Sequence, residues 1–131
     1  MRKLVLMAAV MACAACSEES TGVEPLAVFE VDVAGERFRL AVAEEAQLVR
    51  ATELLESGAE NNLNGSVRRG DGGFNTGYSW HVDPATVTFP DLTMEVCDGR
   101  PRSEVESDVD YWVNTVKYYC PWGAKIVARV R

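Results

Sequence analysis

The N-terminal sixteen residues constrain this chain most, because they indicate both the compartment in which it folds and the length that is left to fold. A basic start, Met1-Arg2-Lys3, precedes an uncharged run over residues 4–15, and Cys16 and a polar stretch follow. This order is typical of a bacterial lipoprotein signal, in which residues 1–15 are removed and Cys16 is acylated. It predicts a protein of the bacterial cell envelope, lipid-anchored and facing the periplasm or the exterior.

The uncharged run has 12 residues, whereas a helix that crosses a bilayer needs about 20. Its length therefore favours an export signal over a retained membrane helix. Two other interpretations stay open. Cys13 is an alternative site of acylation, and cleavage after Ala14 by the ordinary signal peptidase would release a soluble exported protein.

Beyond the signal, the sequence divides into a tether and one domain. Residues 16–25 are polar and lack aromatic side chains, which predicts a flexible tether. Residues 26–131 are enough for a single modest core. After removal of residues 1–15 the chain has 11 Lys and Arg against 20 Asp and Glu, a formal net charge of −9. Such a surface repels nucleic acid, so we expect no nucleic-acid partner and attachment to the membrane through acyl chains alone.

Hydrophobic patterning in the domain predicts an α+β fold with a mostly antiparallel sheet, two helices and one disulfide. Strands are expected where apolar residues alternate, over 29–33, 38–42, 66–68, 78–82, 87–89, 92–96 and 126–130. The first helix is expected over residues 44–57, with Gly58 placed to end it. The second is expected to begin at Ser103, in a capping box with Glu106, and to run to Val113.

The folded region contains two cysteines, Cys97 and Cys120. In an oxidising exported compartment a disulfide between them is the default. A metal site that uses these thiols with His81 would lack the four closely spaced ligands that zinc prefers. We therefore expect a disulfide, no metal, no cofactor and no thiol nucleophile.

Three motifs occur in a fixed order in the second half of the domain. They are Tyr78-Ser79-Trp80-His81-Val82-Asp83-Pro84, shortly after Asn75, then Glu95-Val96-Cys97-Asp98, and finally Cys120-Pro121-Trp122. In this order they resemble a family of small secreted bacterial domains labelled calmodulin-binding-protein-like, after a slime-mould protein whose N-terminal domain has the same pattern. The resemblance covers nearly the whole domain. Tyr78 stands where the family usually has tryptophan, and residues 99–116 are more charged than their usual counterpart.

The family label does not imply that this chain binds calmodulin. Targets of calmodulin are basic amphipathic helices. The predicted second helix instead carries four acidic residues, Glu104, Glu106, Asp108 and Asp110. We therefore expect no calmodulin partner.

The sequence contains no arrangement of residues that dictates a reaction. His81 is the only histidine, and as a general base it would need a carboxylate such as Asp83, Glu95 or Asp98 in reach. We expect instead that His81 is structural and bonds to Asp98 or to a backbone carbonyl. No catalytic residue is predicted.

We therefore predict a non-catalytic binding domain for a protein or carbohydrate partner. The residues expected at its binding site are Asn75, Tyr78, His81, Asp98 and Trp122. One alternative is an inhibitor of hydrolases that presents residues 121–123, and another is a small hydrolase that uses His81 with a carboxylate. A pocket that joins His81 to Glu95 or Asp98 would favour the enzyme, whereas an exposed Trp122 on a protruding loop would favour binding or inhibition.

Overall fold

The computed structural model describes residues 22–99 and 102–131. The predicted signal peptide and Cys16 lie outside the described residues. Two antiparallel sheets and a set of short helices make up the domain, which confirms the α+β class and adds a second sheet to it. The first sheet has the strand order β2-β1-β7-β3, with β1 at Ala27–Val33, β2 at Glu36–Val42, β3 at Glu60–Asn61 and β7 at Ala124–Arg129. The second has the order β5-β4-β6, with β4 at Gly65–Arg69, β5 at Trp80–Val82 and β6 at Tyr118–Tyr119.

Strands β1 and β2 form the predicted hairpin. Its turn consists of Ala34 and Gly35, whose φ angles are 53° and 84°, the pair of positive values that matches the twist of a two-residue hairpin. Asp32 supports the turn, because its Oδ1 accepts the Gly35 N–H at 2.9 Å. The register then places Phe29 and Val31 on the buried face.

Helix α1 (Glu45–Ser57) packs on the first sheet, with Ala51 and Leu54 buried. It ends where predicted: Gly58 has a φ of 65°, and its N–H donates to the Leu54 carbonyl at 3.0 Å. The left-handed conformation is one that glycine adopts without steric cost. No helix in the described part of the chain is long and apolar enough to cross a membrane.

Aromatic side chains join the two sheets in one core. Phe38 of β2 lies 5.5 Å from the Trp80 ring of β5 and 5.6 Å from the Tyr119 ring of β6. Trp80 and Tyr119 are themselves 5.4 Å apart at an interplanar angle of 70°, the edge-to-face geometry that aromatic pairs prefer. All three are buried.

Two of the predicted strands do not form. In residues 87–89 only Thr88 makes a strand-like bridge, to Asn64. Residues 92–96 form no strand, and the chain instead makes a short helical turn at Glu95–Cys97. Apolar alternation forms a strand only where another strand pairs with it, and residues 92–96 pair with no strand in the described part of the chain. Their apolar side chains Leu92, Met94 and Val96 are exposed.

The predicted second helix is broken. Helix α2 (Arg102–Ser107) is followed by a short helix α3 (Val109–Tyr111) and by a π-helical turn over Trp112–Val116. The chain breaks at Asp108, which has a φ of −150°.

The predicted capping box was also wrong. Both groups of Ser103, its N–H and its hydroxyl, bond to the Glu36 carboxylate at 3.1 Å. Glu106 accepts the Ser79 N–H at 3.0 Å and the Ser79 hydroxyl at 2.8 Å. These side chains therefore tie the helix to β2 and to the residue before β5, instead of capping the helix backbone.

Candidate functional site

A cavity of about 690 Å³ lies beside the loop that joins β4 to β5. The loop contributes residues 70–74, three of which are glycine, and the two strands contribute Arg68, Arg69 and His81. Residues 22–25 and Pro84 complete the wall. We name this space the glycine-loop cavity.

Glycine is required in this loop for conformation and for space. Gly70, Gly72 and Gly73 have φ angles of 76°, 64° and 78°, which other residues adopt at a cost. A Cβ on Gly72 would lie 2.8 Å from ring atoms of both His81 and Phe74. Asp71 holds the loop together, because its Oδ1 accepts the Gly73 N–H at 2.8 Å. The loop backbone therefore packs directly on His81.

His81 is fixed in one orientation at the cavity. Its neighbours on β5, Trp80 and Val82, are buried on the opposite face. Its Nδ1 lies 2.8 Å from the Gly70 carbonyl oxygen. A carbonyl only accepts, so Nδ1 carries a proton, and Nε2 is the ring nitrogen that can accept a hydrogen bond in the neutral tautomer. Of the two predicted partners, Asp98 and a backbone carbonyl, the structure shows the carbonyl.

Arg68 lies directly across from His81 in the antiparallel pair of β4 and β5. Its Nε donates to Asp83 Oδ2 at 3.2 Å. The other Asp83 oxygen accepts the Ala85 N–H at 3.1 Å and caps the turn after β5. This arrangement uses one edge of the guanidinium and leaves both terminal nitrogens without a hydrogen bond to the described residues. The adjacent Arg69 pairs with Asp110.

The cavity does not bring His81 together with Glu95 or Asp98, since neither lines it. The third predicted carboxylate, Asp83, is bonded to Arg68 and to the Ala85 N–H. Asp98 lies near the disulfide instead, and its Oδ1 accepts the Trp122 N–H at 3.3 Å. Within residues 22–99 and 102–131, His, Cys, Asp and Glu side chains form no cluster of three or more that could hold a metal ion.

A second surface feature lies at the disulfide between Cys97 and Cys120, which confirms the predicted bond, with the two Cα atoms 5.2 Å apart. Four large apolar side chains on the two segments that it joins are open to solvent. Their exposed fractions are 87% for Leu92, 65% for Met94, 70% for Val96 and 48% for Trp122. We name these four residues the disulfide surface.

The two segments that carry the disulfide surface are tied to each other and to the domain. The Cys120 N–H donates to the Cys97 carbonyl at 2.9 Å, and the Leu63 N–H donates to the Pro121 carbonyl at 3.2 Å. At the start of the first segment, Asn62 Nδ2 donates to the Asp91 carbonyl at 2.7 Å. The exposed side chains therefore stand on a backbone that is fixed at several points.

The other predicted binding residues lie apart from both features. Asn75 is fully buried, and its amide bonds to backbone groups of Arg39 and Trp80. The Tyr78 hydroxyl donates to the Arg37 carbonyl at 3.0 Å, and its ring lies 4.6 Å from the Arg102 guanidinium carbon. Both side chains have structural partners, so we do not assign either to a ligand.

Sequence reasoning missed Arg68 and the three exposed residues Leu92, Met94 and Val96. The signal for Arg68 was the pair Arg68-Arg69 immediately before the glycine-rich residues 70–73. This pattern places positive charge beside a backbone that few side chains cover. For Leu92, Met94 and Val96, the signal was the Pro90-Asp91 turn just before them. A strand that begins after a turn still needs another strand with which to pair, and an unpaired segment leaves its apolar side chains exposed.

Among the titratable groups of residues 22–99 and 102–131, Tyr119 has a shifted pKa. Burial raises the pKa of Tyr119, and the negative charges of Asp98, Glu36 and Glu104 raise it further. Its hydroxyl makes no hydrogen bond to the described residues. Tyr119 therefore acts as a neutral core side chain.

The family model for the N-terminal domain of calmodulin-binding protein 74 matches residues 25–131. The chain belongs to this family. The match to the family's N-terminal domain includes all seven strands, the glycine loop and the disulfide surface. Comparisons with curated proteins and with solved structures give no match.

Proposed function

We propose that this member of the family is a non-catalytic interaction domain, held at the bacterial envelope by a lipid on Cys16, and that it binds a protein partner through the disulfide surface. The observation that carries the proposal is the exposure of four large apolar side chains on two segments joined by one disulfide. Single exposed apolar residues are ordinary on a protein surface, whereas grouped ones mark interaction sites.

The chemistry of the segment favours a protein partner over a membrane surface. Residues 90–96, which carry three of the four exposed side chains, contain two acidic residues, Asp91 and Glu95, and no lysine or arginine. Anionic headgroups repel such a segment. A protein surface with an apolar groove and a basic rim would complement both the apolar side chains and the acids beside them.

The fixed backbone supports binding energetically. Association with a flexible loop costs free energy to order the loop backbone, in addition to about 0.5–1.5 kcal/mol for each immobilised side chain. The disulfide and the bonds of Asp91 and Pro121 meet part of that cost when the domain folds. The disulfide surface is therefore preorganised for a partner.

A second candidate function, inhibition of a hydrolase, is favoured by Leu92. It is the most exposed residue of the disulfide surface, at 87%, and lies in a segment without helix or strand. Met94, two residues later, has an extended backbone with φ −81° and ψ 141°. An extended segment with a protruding side chain and fixed ends fits an enzyme cleft.

We further propose that the partner is neither calmodulin nor nucleic acid. The exposed side of α2 and α3 presents Glu104, Asp108 and Asp110. Calmodulin targets are basic on this face, and nucleic acids need a basic surface.

Site-specific photo-crosslinking in the native envelope tests the proposal. A photoreactive phenylalanine replaces Leu92 in the full chain, and in a control it replaces Val49, which is 55% exposed on α1. We expect a defined protein adduct from position 92 and none from position 49. Assay of the captured protein for hydrolase activity, with and without the domain, separates inhibition from simple binding.

Charge substitutions supply the second half of the test. Leu92→Asp is expected to abolish co-purification of the crosslinked partner, while Val49→Asp retains it. Because both side chains are exposed, each variant should change the free energy of unfolding by less than about 0.5 kcal/mol. Co-purification that survives Leu92→Asp, or equal adducts from both positions, would contradict the proposal.

A further inference from the structure

We infer that the glycine-loop cavity binds a small ligand, or the end of a larger one, that carries an oxyanion next to a hydroxyl group. The oxyanion is a carboxylate or a phosphate, as in a uronic acid or a sugar phosphate. This site is separate from the disulfide surface and does not depend on the function proposed for it. A volume of about 690 Å³ is within the range of about 300–1,000 Å³ that small-molecule sites occupy.

Arg68 supplies the anion-binding group. Asp83 Oδ2 holds the Nε edge of its guanidinium at 3.2 Å, so the planar group is oriented before a ligand arrives. The two terminal nitrogens form a fork that matches the two oxygens of a carboxylate or phosphate. The chain has 13 basic and 20 acidic residues. Because acidic residues are in excess, an arginine beside the cavity distinguishes this site from a surface that is negatively charged as a whole.

His81 supplies the second contact. Its Nδ1–H donates to the Gly70 carbonyl, so in the neutral tautomer it is Nε2 that presents a lone pair. A lone pair repels an anion and accepts a hydrogen bond from a hydroxyl group. Residues opposed in an antiparallel pair have Cβ atoms about 4.5–5.5 Å apart. The ligand's hydroxyl must therefore lie close to its oxyanion.

The other walls limit the ligand further. Glu24 and Asp71 also line the cavity, and although Asp71 is bonded within the loop, the two carboxylates oppose a polyanion. Val23, Pro25, Phe74 and Pro84 add apolar surface for the carbon skeleton. The glycines at 70, 72 and 73 let a ligand approach the backbone without meeting a side chain. The site suits one anionic group on a compact polar molecule.

Calorimetric titration of the full chain tests this with four probes. Glucuronate and glucose 6-phosphate carry both groups, and they distinguish a carboxylate from a phosphate. Glucose lacks the oxyanion, and acetate lacks the hydroxyl. We expect at least one of the first two to bind with a Kd of about 1 mM or tighter, and glucose and acetate to bind at least about tenfold more weakly.

Matched variants assign the contacts. Arg68→Gln should weaken the binding of the probe by at least about tenfold. Arg50 is a half-exposed and ion-paired arginine on α1, and Arg50→Gln should leave the binding unchanged. His81→Asn keeps a side-chain N–H for the Gly70 carbonyl and has no atom in the place of Nε2. It should therefore keep its melting temperature and reduce the affinity for glucuronate or glucose 6-phosphate to that for acetate.

Two results would overturn the inference. One is the absence of binding by both glucuronate and glucose 6-phosphate at about 10 mM. The other is binding that Arg68→Gln does not change while the variant retains the melting temperature of the unchanged chain. Neither result bears on the disulfide surface, because Leu92 and Trp122 do not line the glycine-loop cavity.

Discussion

At the scale of single residues, Asn75 links the two sheets. Its Oδ1 accepts the Arg39 N–H of β2 at 2.9 Å, and its Nδ2 donates to the Trp80 carbonyl of β5 at 2.9 Å. The side chain is fully buried. Asparagine meets both needs because one amide group both donates and accepts.

Replacement of Asn75 should destabilise the domain strongly. Asn75→Ala leaves a backbone N–H and a carbonyl unpaired in the interior, and we expect a loss of about 2–4 kcal/mol in the free energy of unfolding. Asn75→Asp should cost at least as much, because it buries a carboxylate oxygen against the Trp80 carbonyl. Urea denaturation followed by tryptophan fluorescence measures both. Losses under about 1 kcal/mol for both variants would contradict the role.

Tyr119 provides a prediction about pH. Burial, with Asp98, Glu36 and Glu104 nearby, raises the pKa of its phenol in the folded state, while in the unfolded chain the pKa is about 10. The folded state then holds a proton that the unfolded state releases, so stability is complete below about pH 10 and falls as the pH rises above it. Ultraviolet titration should show that Tyr119 ionises only as the domain unfolds.

The variant Tyr119→Phe separates this effect from other alkaline effects. The Tyr119 hydroxyl, which the substitution removes, has no hydrogen-bond partner among the described residues. The substitution should therefore be neutral or stabilising near neutral pH. Above about pH 10 the variant should lose less stability than the unchanged chain. A phenolate signal that the folded unchanged chain gives and Tyr119→Phe lacks would show the assignment to be wrong.

At the scale of elements, the parts that sequence could predict are those with local causes. The hairpin follows from alternation around Gly35, and α1 follows from its apolar stripe and Gly58. The segment at 92–96 alternates equally well, yet a strand there would need a partner strand distant in sequence, and none of the described strands pairs with it. The capping box failed for the same reason, since Ser103 found Glu36, 67 residues away.

The same division applies to the candidate site. His81 could be picked out because it is the only histidine, and its bond to a carbonyl was among the predictions. Its pairing with Arg68 depends on the register of β4 and β5. The burial of Asn75 could not be predicted, because polarity alone does not reveal whether a side chain faces solvent or the backbone of another strand.

The disulfide should contribute to stability and to the disulfide surface. It closes a loop over a sequence separation of 23 residues, so its removal by Cys97→Ala with Cys120→Ala should cost about 3 kcal/mol in the chain-entropy model. Thermal unfolding measures this. The oxidised native chain should show no free thiol from these two cysteines, and two titrating thiols would contradict the bond.

At the scale of the whole molecule, attachment to the envelope stays a prediction from the sequence. Cys16→Ala should move the protein from the detergent phase to the aqueous phase of a phase-separation assay, because the variant lacks the thiol that is predicted to carry the acyl chains. Mass spectrometry of the unchanged protein should find acyl chains on Cys16. A variant that stays in the detergent phase, with an unchanged protein free of acyl mass, would rule out the anchor.

The Cys97–Cys120 bond also makes a closed ring of covalent chain that contains α2, α3 and β6. A protease that cuts once inside this ring opens it without releasing a fragment. The nicked molecule gains the mass of one water and separates into two pieces only after reduction. If the envelope processes this domain in the ring, the two halves remain one molecule, and the disulfide surface keeps both of its segments.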